Sequence, residues 1–261
     1  MNQESTLGFI GGGRITRLLL RALKQKNSLP EKVLVADPNE DMKKQVQAID
    51  TAVIECVSNN VDVLNVDMLF LAVHPPVVKD VAAEISSKIG ADTLVVSLIP
   101  IISMEKMAMM LGGVKKLVRM IPNAPSIIQK GYNPVVFSDE ISTDEKQQLQ
   151  QFFSYWGEAP EVDEQRLEAY AIVTAMGPTY FWFQWLKLQE LGKQFGMSDA
   201  ELKKALPAML HGAAETLFES DLSSKDVLDL IPVCPLKDDE PAIQGIFERK
   251  LTGLYAKLTQ K

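Results

Sequence analysis

From residue 5 to about residue 140 the chain alternates short apolar runs with longer segments whose apolar positions recur every three or four residues. That is the pattern of βαβ units around a parallel sheet. Residues 7–11, 32–36, 52–56, 67–73, 93–99 and 116–121 are hydrophobic enough for strands covered on both faces, and 134–137 reads as a shorter edge strand. Helices are expected between the strands, for example over 14–26, 39–49 and 76–89, the last opening next to a Pro-Pro pair. After about residue 162 the strand signal stops. A long helical pattern over 163–195 is interrupted at Gly177-Pro178, with Gly192 and Gly196 marking its end. Ser198-Asp199-Ala200-Glu201 then has the spacing of a capping box. The chain therefore reads as an α/β domain over 1–160 followed by an all-α domain over 161–261.

Charge and composition narrow the partners. Lys and Arg number 27 against 34 Asp and Glu, a net charge of −7, so no overall positive field favours nucleic acid or anionic lipid. Cys56 and Cys234 form no C-x-x-C pair, and with only His74 and His211 beside them they make no zinc site of usual spacing, so no metal is expected. The first residues lack the basic and apolar regions of a secretory signal, and no apolar stretch approaches a membrane span, which makes the cytoplasm the expected location. Trp182, Phe183 and Trp185, following Tyr180 and Phe181, concentrate aromatic surface on one helix; a cofactor box is the competing reading to helix core or subunit interface, and a subunit interface is the reading taken.

The chemistry starts at the first strand-to-helix turn. Gly8-Phe9-Ile10-Gly11-Gly12-Gly13-Arg14-Ile15-Thr16 brings backbone N–H groups and a positive helix end to one place, where a pyrophosphate fits. Gly11 allows the tight turn and Gly13 the close phosphate approach, whereas Thr16 replaces the third small residue and is expected to loosen helix-strand packing. A plain strand-to-helix turn is the competing reading. Asp37, ending the second strand, stands where a carboxylate accepts from an adenosine ribose 2′-hydroxyl and repels a 2′-phosphate, which favours NAD. Lys43 or Lys44 would rescue NADP, and Asp37-Pro38 also reads as a turn.

Four segments in order resemble the pyrroline-5-carboxylate reductase family, whose members reduce a cyclic imine to proline. They are Gly8-Phe9-Ile10-Gly11-Gly12-Gly13, Leu71-Ala72-Val73-His74-Pro75, Arg119-Met120-Ile121-Pro122-Asn123-Ala124-Pro125 and Met176-Gly177-Pro178-Thr179-Tyr180. The prolyl-asparaginyl loop followed by Gly131 is the most specific of them. The resemblance implies a doubly wound, mainly parallel Rossmann-type domain, then a helical domain that interlocks with that of a second subunit, making a homodimer the minimum assembly. It implies that Gly11, Gly12, Gly13, Arg14 and Ile15 hold the dinucleotide and that Asn59 touches its adenosine half. Backbone at Ala72, Val73, His74 and Pro75 would line the ribose, with His74 where the family usually has Lys. Residues 97–100, beginning at Ser97, would approach the nicotinamide, and Pro122 with Asn123 would wall the ring and offer its carboxamide a partner. Asn59 reads equally as a helix cap, His74 as a loop imidazole, and the prolyl loop as a rigid turn.

Two departures bear on substrate. The family's Ser-Gly-Ser-Gly-Pro-Ala helix break is here Thr174-Ala175-Met176-Gly177-Pro178-Thr179, and its Ser-Pro-Gly-Gly-x-Thr carboxylate cradle is here Cys234-Pro235-Leu236-Lys237-Asp238-Asp239-Glu240-Pro241. Matching Glu248 to a family Glu puts Glu240 at the Thr position beside the imine nitrogen. Asp238, Asp239 and Glu240 would repel a desolvated substrate carboxylate, with Lys237 offsetting part. The expected activity is an NAD(P)H-dependent oxidoreductase acting on an imine CH–NH bond, with an altered substrate as a variant and Glu240 and Thr179 as candidate catalytic groups. A solvated loop over a binding protein without turnover is the alternative. A hydroxyacid dehydrogenase would want a Lys between Asp163 and Leu186, and none is there.

Overall fold

A computed structural model of the chain describes residues 5–259. The first part alternates β1 (Thr6–Ile10), α1 (Arg14–Gln25), β2 (Lys32–Ala36), α2 (Glu40–Gln47), β3 (Ile54–Val57), β4 (Met68–Leu71), α3 (Val78–Ile85), β5 (Leu94–Ser97), α4 (Met104–Met110) and β6 (Leu117–Met120). It continues through β7 (Gly131–Tyr132), β8 (Val135–Phe137), α5 (Thr143–Phe153), β9 (Gly157–Glu158) and α6 (Leu167–Tyr170). The helical remainder comprises α7 (Gly177–Gln194), α8 (Asp199–Glu219), α9 (Ser224–Asp229) and α10 (Glu240–Thr259). Two compact units divide the described chain, one of residues 5–176 with 255–259 and one of 177–254.

In the first unit a seven-stranded sheet runs in the order β3-β2-β1-β4-β5-β6-β8. All neighbours are parallel except β8, which returns antiparallel on β6. This is a Rossmann-type doubly wound sheet, with its topological switch between β1 and β4. Both faces are covered. On one, Leu19, Leu20 and Leu23 of α1 pack with Phe9, Phe70, Phe153 and Trp156; on the other, Val78, Ala82 and Ile85 of α3 pack with Leu69, Val95 and Met107. Phe9 and Phe70 stack at 4.5 Å, and the fully buried Trp156 meets Phe70 edge-on while its Nε1–H donates to the Leu19 carbonyl at 3.0 Å. Each such side chain contributes about 1.5–3 kcal/mol of burial energy.

Several local expectations are corrected. The helix expected over 76–89 opens as a 3₁₀ turn, Pro75–Val77, with Pro at its first positions, and its α-helix ends at Ile85, whose carbonyl accepts from both Lys88 N–H at 2.9 Å and Ile89 N–H at 3.2 Å in a closing turn. Gly177-Pro178 does not interrupt a helix but begins one; the irregularity lies just before it, in a π-helical turn Ala171–Ala175 closed by Met176 N–H to Ala171 O at 3.0 Å. Gly192 is not a terminator. It sits inside α7, where a Cβ would meet Leu202 Cδ2 of α8 at 2.5 Å, whereas Gly196, at φ +92°, does follow the helix end. Helix α4 lies between β5 and β6, where the alternation calls for a helix, and α5 is an addition to the sequence reading, although Ser142 and Glu145 form a capping box that marks its start.

In the second unit the capping box of Ser198 and Glu201 starts α8 as the spacing predicts. Phe181 stacks on Trp185 at 6.1 Å, and Tyr180 meets Phe247 edge-on at 5.8 Å. Across α7, α8, α9 and α10 the buried residues are Gly177, Gly192 and Leu202 alone among those described.

Candidate functional site

The carboxyl ends of β1, β4, β5 and β6 lie along one edge of the sheet, where open α/β folds place their ligands. Gly11 leaves β1 at φ +102°, its N–H donating to the Ala36 carbonyl at 2.8 Å. A Cβ on Gly11 would stand 2.5 Å from the Ala72 carbonyl oxygen and 3.3 Å from Val73, so the turn and the β4 exit touch with only hydrogen between them. Gly12 donates its N–H to Asp37 Oδ2 at 2.7 Å, while Asp37 Oδ1 accepts from Asn39 N–H at 2.8 Å. The carboxylate therefore braces the glycine turn from the end of β2. Gly13 occupies the N-cap of α1 with no side-chain cap, and no atom lies within 4 Å of where its Cβ would be. Arg14 is exposed and Ile15 half-buried in the first turn of α1.

Thr16 corrects an expectation. Its side chain is fully buried and the hydroxyl donates to the Gly11 carbonyl at 2.5 Å, so it ties the turn to the helix rather than loosening it. Lys43 is engaged by Glu40 at 2.6 Å and by Ser58 at 2.7 Å. Asn59 is exposed at the head of a 3₁₀ turn, Asn60–Val63, with no side-chain cap bond. After β4, Ala72 N–H donates to Ile10 O at 2.8 Å, His74 is exposed, and Pro75 opens the next turn. Ser97 is buried at the end of β5, its Oγ accepting from Ile99 N–H at 3.4 Å.

Asn123 is buried and its amide is committed to the fold. Oδ1 accepts from Tyr132 N–H at 3.1 Å, Nδ2 donates to Thr174 O at 3.4 Å, and its backbone N–H donates to Asn133 Oδ1 at 3.0 Å. Ser126 Oγ donates to the same Asn133 oxygen at 2.8 Å. Burial pushes the Tyr132 phenol above its ordinary range, with Tyr170, whose ring lies 6.1 Å away, reinforcing the shift.

The two candidate catalytic residues belong to the second unit. Thr179 is exposed in the first turn of α7, and Glu240 is exposed at the start of α10, its Oε1 accepting from Gln244 Nε2 at 2.7 Å. The rewritten segment before Glu240 is a turn: Lys237 N–H donates to Cys234 O at 3.1 Å, and Asp239 and Glu240 N–H both donate to Leu236 O at 3.0 Å. It borders a hollow of about 380 Å³ with Cys234, Pro235, Leu236, Ile243 and Gln244.

Sequence reasoning overlooked a buried ion cluster. Arg119, only 2% exposed, sends Nη1 to Glu164 Oε1 at 2.6 Å and Nη2 to Glu168 Oε1 at 2.7 Å. A charged residue within the otherwise apolar β6 is the signal that would have found it.

The braced glycine turn, the open space beside Gly13 and the uncapped first turn of α1 fit a dinucleotide pyrophosphate. Comparisons with known proteins show what the chain resembles. Residues 6–100 match the family model described as NADP oxidoreductase coenzyme F420-dependent. The chain is 26% identical over 259 residues to the pyrroline-5-carboxylate reductase of Corynebacterium melassecola, covering 98% of this chain and 95% of that one. Among solved structures it resembles the Plasmodium falciparum pyrroline carboxylate reductase with NADP bound at a TM-score of 0.80 and 19% identity, covering 99% of this chain and 97% of that one. A pyrroline-5-carboxylate reductase from Coxiella burnetii matches at 0.70 and 24% identity, over 98% of this chain and 94% of that one. The chain thus resembles pyrroline-5-carboxylate reductases along its length and shares their fold.

Proposed function

We propose that this protein is a nicotinamide-dependent imine reductase of the pyrroline-5-carboxylate reductase type. The observation that carries the reading is the glycine turn, held open at Gly13 and braced by Asp37, within a chain that matches such a reductase over 98% of its length. Resemblance of that extent favours turnover over a binding role alone.

When bound, the dinucleotide supplies the hydride. The chain's own task is to hold both reactants within near-attack distance and give the nascent amine a hydrogen-bonding partner. In this reading the amides of Gly13, Arg14 and Ile15 hold the pyrophosphate with the α1 dipole behind them, while Gly12, whose N–H is given to Asp37, shapes the turn. Asp37 keeps lone pairs for a ribose hydroxyl while bracing Gly12, and its charge disfavours a 2′-phosphate, so NADH is preferred to NADPH. Lys43, already held by Glu40 and Ser58, does little to reverse that. Asn59 meets the adenosine half, the backbone of Ala72, Val73, His74 and Pro75 lines the ribose, and Ser97 and Asn123 border the nicotinamide. Asn123 does so by shaping the loop, since its amide is already bonded internally.

Glu240 is the proposed hydrogen-bond partner or proton donor for the reduced nitrogen, with Thr179 beside the substrate. The amides of Lys237, Asp239 and Glu240 close their own turn, and Asp238, Asp239 and Glu240 add negative charge. Both features disfavour a bound carboxylate and support a cyclic imine without one as the preferred substrate. NADH and NADPH oxidation with 1-pyrroline-5-carboxylate and with 1-pyrroline at matched concentrations tests the reading. Faster turnover of 1-pyrroline with NADH is expected. Preference for the imino acid would remove the altered-substrate part, and silence with both imines would remove the reductase assignment.

The assembly proposed is a homodimer or a higher homo-oligomer. Phe183, Phe195 and Phe218 are 66%, 77% and 80% exposed, apolar rings that a second subunit would cover. No described helix is long and apolar enough to cross a membrane.

A further inference from the structure

The loop between β5 and α4 carries a strained residue. Ile101 has φ +76°, a left-handed conformation that a β-branched side chain rarely adopts, and it is 44% exposed between the buried Ile99 and Ile102. Strain of this kind persists only where the surroundings enforce it. Here the enforcing groups are visible. Ile101 N–H donates to Glu168 Oε1 at 3.2 Å, and Met104 N–H donates to Glu164 Oε1 at 2.5 Å. Those same two oxygens receive the two Nη groups of Arg119. Each carboxylate oxygen thus bridges a buried guanidinium to one end of the loop, and three segments remote in sequence meet at one cation.

Stability alone accounts poorly for this arrangement. A buried ion cluster is a weak source of net stability, and Arg119 Nε is buried without a hydrogen-bond partner. Its location is more telling. In doubly wound sheets one mononucleotide half lies over β1 to β3 and the other over β4 to β6, so the loop leaving β5 belongs to the nicotinamide half. We infer that Arg119, Glu164 and Glu168 are positioning residues that hold the strained Ile101 loop in place for the nicotinamide half of the cofactor. This rests on the dinucleotide reading proposed above.

Glu168→Ala frees Ile101 to relax, so the loop moves while the glycine turn on β1 does not. Affinity for NADH, measured by fluorescence titration, should fall about tenfold, the loss expected when one hydrogen-bonding contact to the nicotinamide half is misplaced. Affinity for ADP-ribose, which lacks the nicotinamide, should stay within about twofold of wild type. Glycine takes φ +76° without strain, so adding Ile101→Gly to Glu168→Ala should restore most of the lost NADH affinity. If Glu168→Ala fails to fold, Glu168→Met, which fills similar space but offers Ile101 N–H no oxygen acceptor, is read by the same split. Equal loss of both ligands, unchanged NADH binding, or no recovery in the double variant would overturn the positioning role. Wild-type protein that binds neither ligand would instead overturn the dinucleotide reading, and this inference with it.

Discussion

Alanine at Gly11 and at Gly13 separates two demands made by a phosphate-binding turn. At Gly11 the backbone is left-handed, and a Cβ would lie 2.5 Å from the Ala72 carbonyl oxygen and 2.9 Å from its carbon. Ordinary contact begins at 3.4 Å, so the turn and the β4 exit must part by nearly an ångström, and a main-chain carbonyl cannot rotate aside. The left-handed conformation costs alanine about 1–2 kcal/mol. Overpacking adds about 1–3 kcal/mol. Gly11→Ala should therefore lose about 2–5 kcal/mol, a fall in Tm of roughly 4–20 °C at about 2–4 °C per kcal/mol. At Gly13 φ is −67° and the Cβ position is open, so alanine there costs at most about 1 kcal/mol, the difference between the two as caps. Its methyl nonetheless enters the space a phosphate must cross. Holding an anion off one amide forfeits about 1.5–3 kcal/mol, which raises Kd about 10- to 100-fold. Thermal unfolding without nucleotide and NADH titration by fluorescence measure the two effects separately. Gly13→Ala protein that binds NADH as tightly as wild type would refute the phosphate site, and Gly11→Ala protein that melts with wild type would refute the clash.

Asp37→Ala leaves the buried Gly12 N–H without its acceptor and should lower stability by about 1–3 kcal/mol, while shifting the ratio of NADH to NADPH affinity toward NADPH; an unchanged ratio in paired titrations would exclude Asp37 from the ribose. Glu145, held at about 2 by the Lys116 ammonium and by Ser142, adds stability that is fully present above its ordinary value of 4.5 and is lost as pH falls toward 2. Melting curves of wild type and Glu145→Gln should therefore differ modestly at pH 6, since the pair is partly exposed, and converge as pH approaches 2. Phe218→Glu, on a side chain 80% exposed, should leave the Tm of the second unit's helices little changed in a monomer but weaken self-association; sedimentation velocity showing the same assembly as wild type would place the interface elsewhere.

Much of the first unit was legible because both its faces are buried. A strand covered on both sides must be nearly all apolar, as in β1, β2 and β4, and the helices between must show a helical period, so composition along the chain betrays their order. The glycine turn and Asp37 were legible for a related reason: a left-handed residue at Gly11 and a carboxylate at a strand end are local requirements that few residue types meet. The capping box at Ser198 is equally local.

What the chain alone does not reveal is which distant groups meet. Gly192 looked like a helix end, since a glycine's signal is the same whether it frees a dihedral or admits a neighbour; only the approach of Leu202 from α8 decides which. Thr16 looked like a defect until its hydroxyl found the Gly11 carbonyl. The amide of Asn123 looked free for a ligand, yet Tyr132 and Thr174 claim it. The strain at Ile101 and its restraint by Glu168 and Arg119 join residues far apart in sequence, whose pairing no local pattern encodes. Periodicity and turn chemistry are properties of neighbours along the chain, so the sequence determined the elements, their order and the glycine turn. Packing and hydrogen bonding between remote segments depend on where those elements come to rest, and only the tertiary structure decided them.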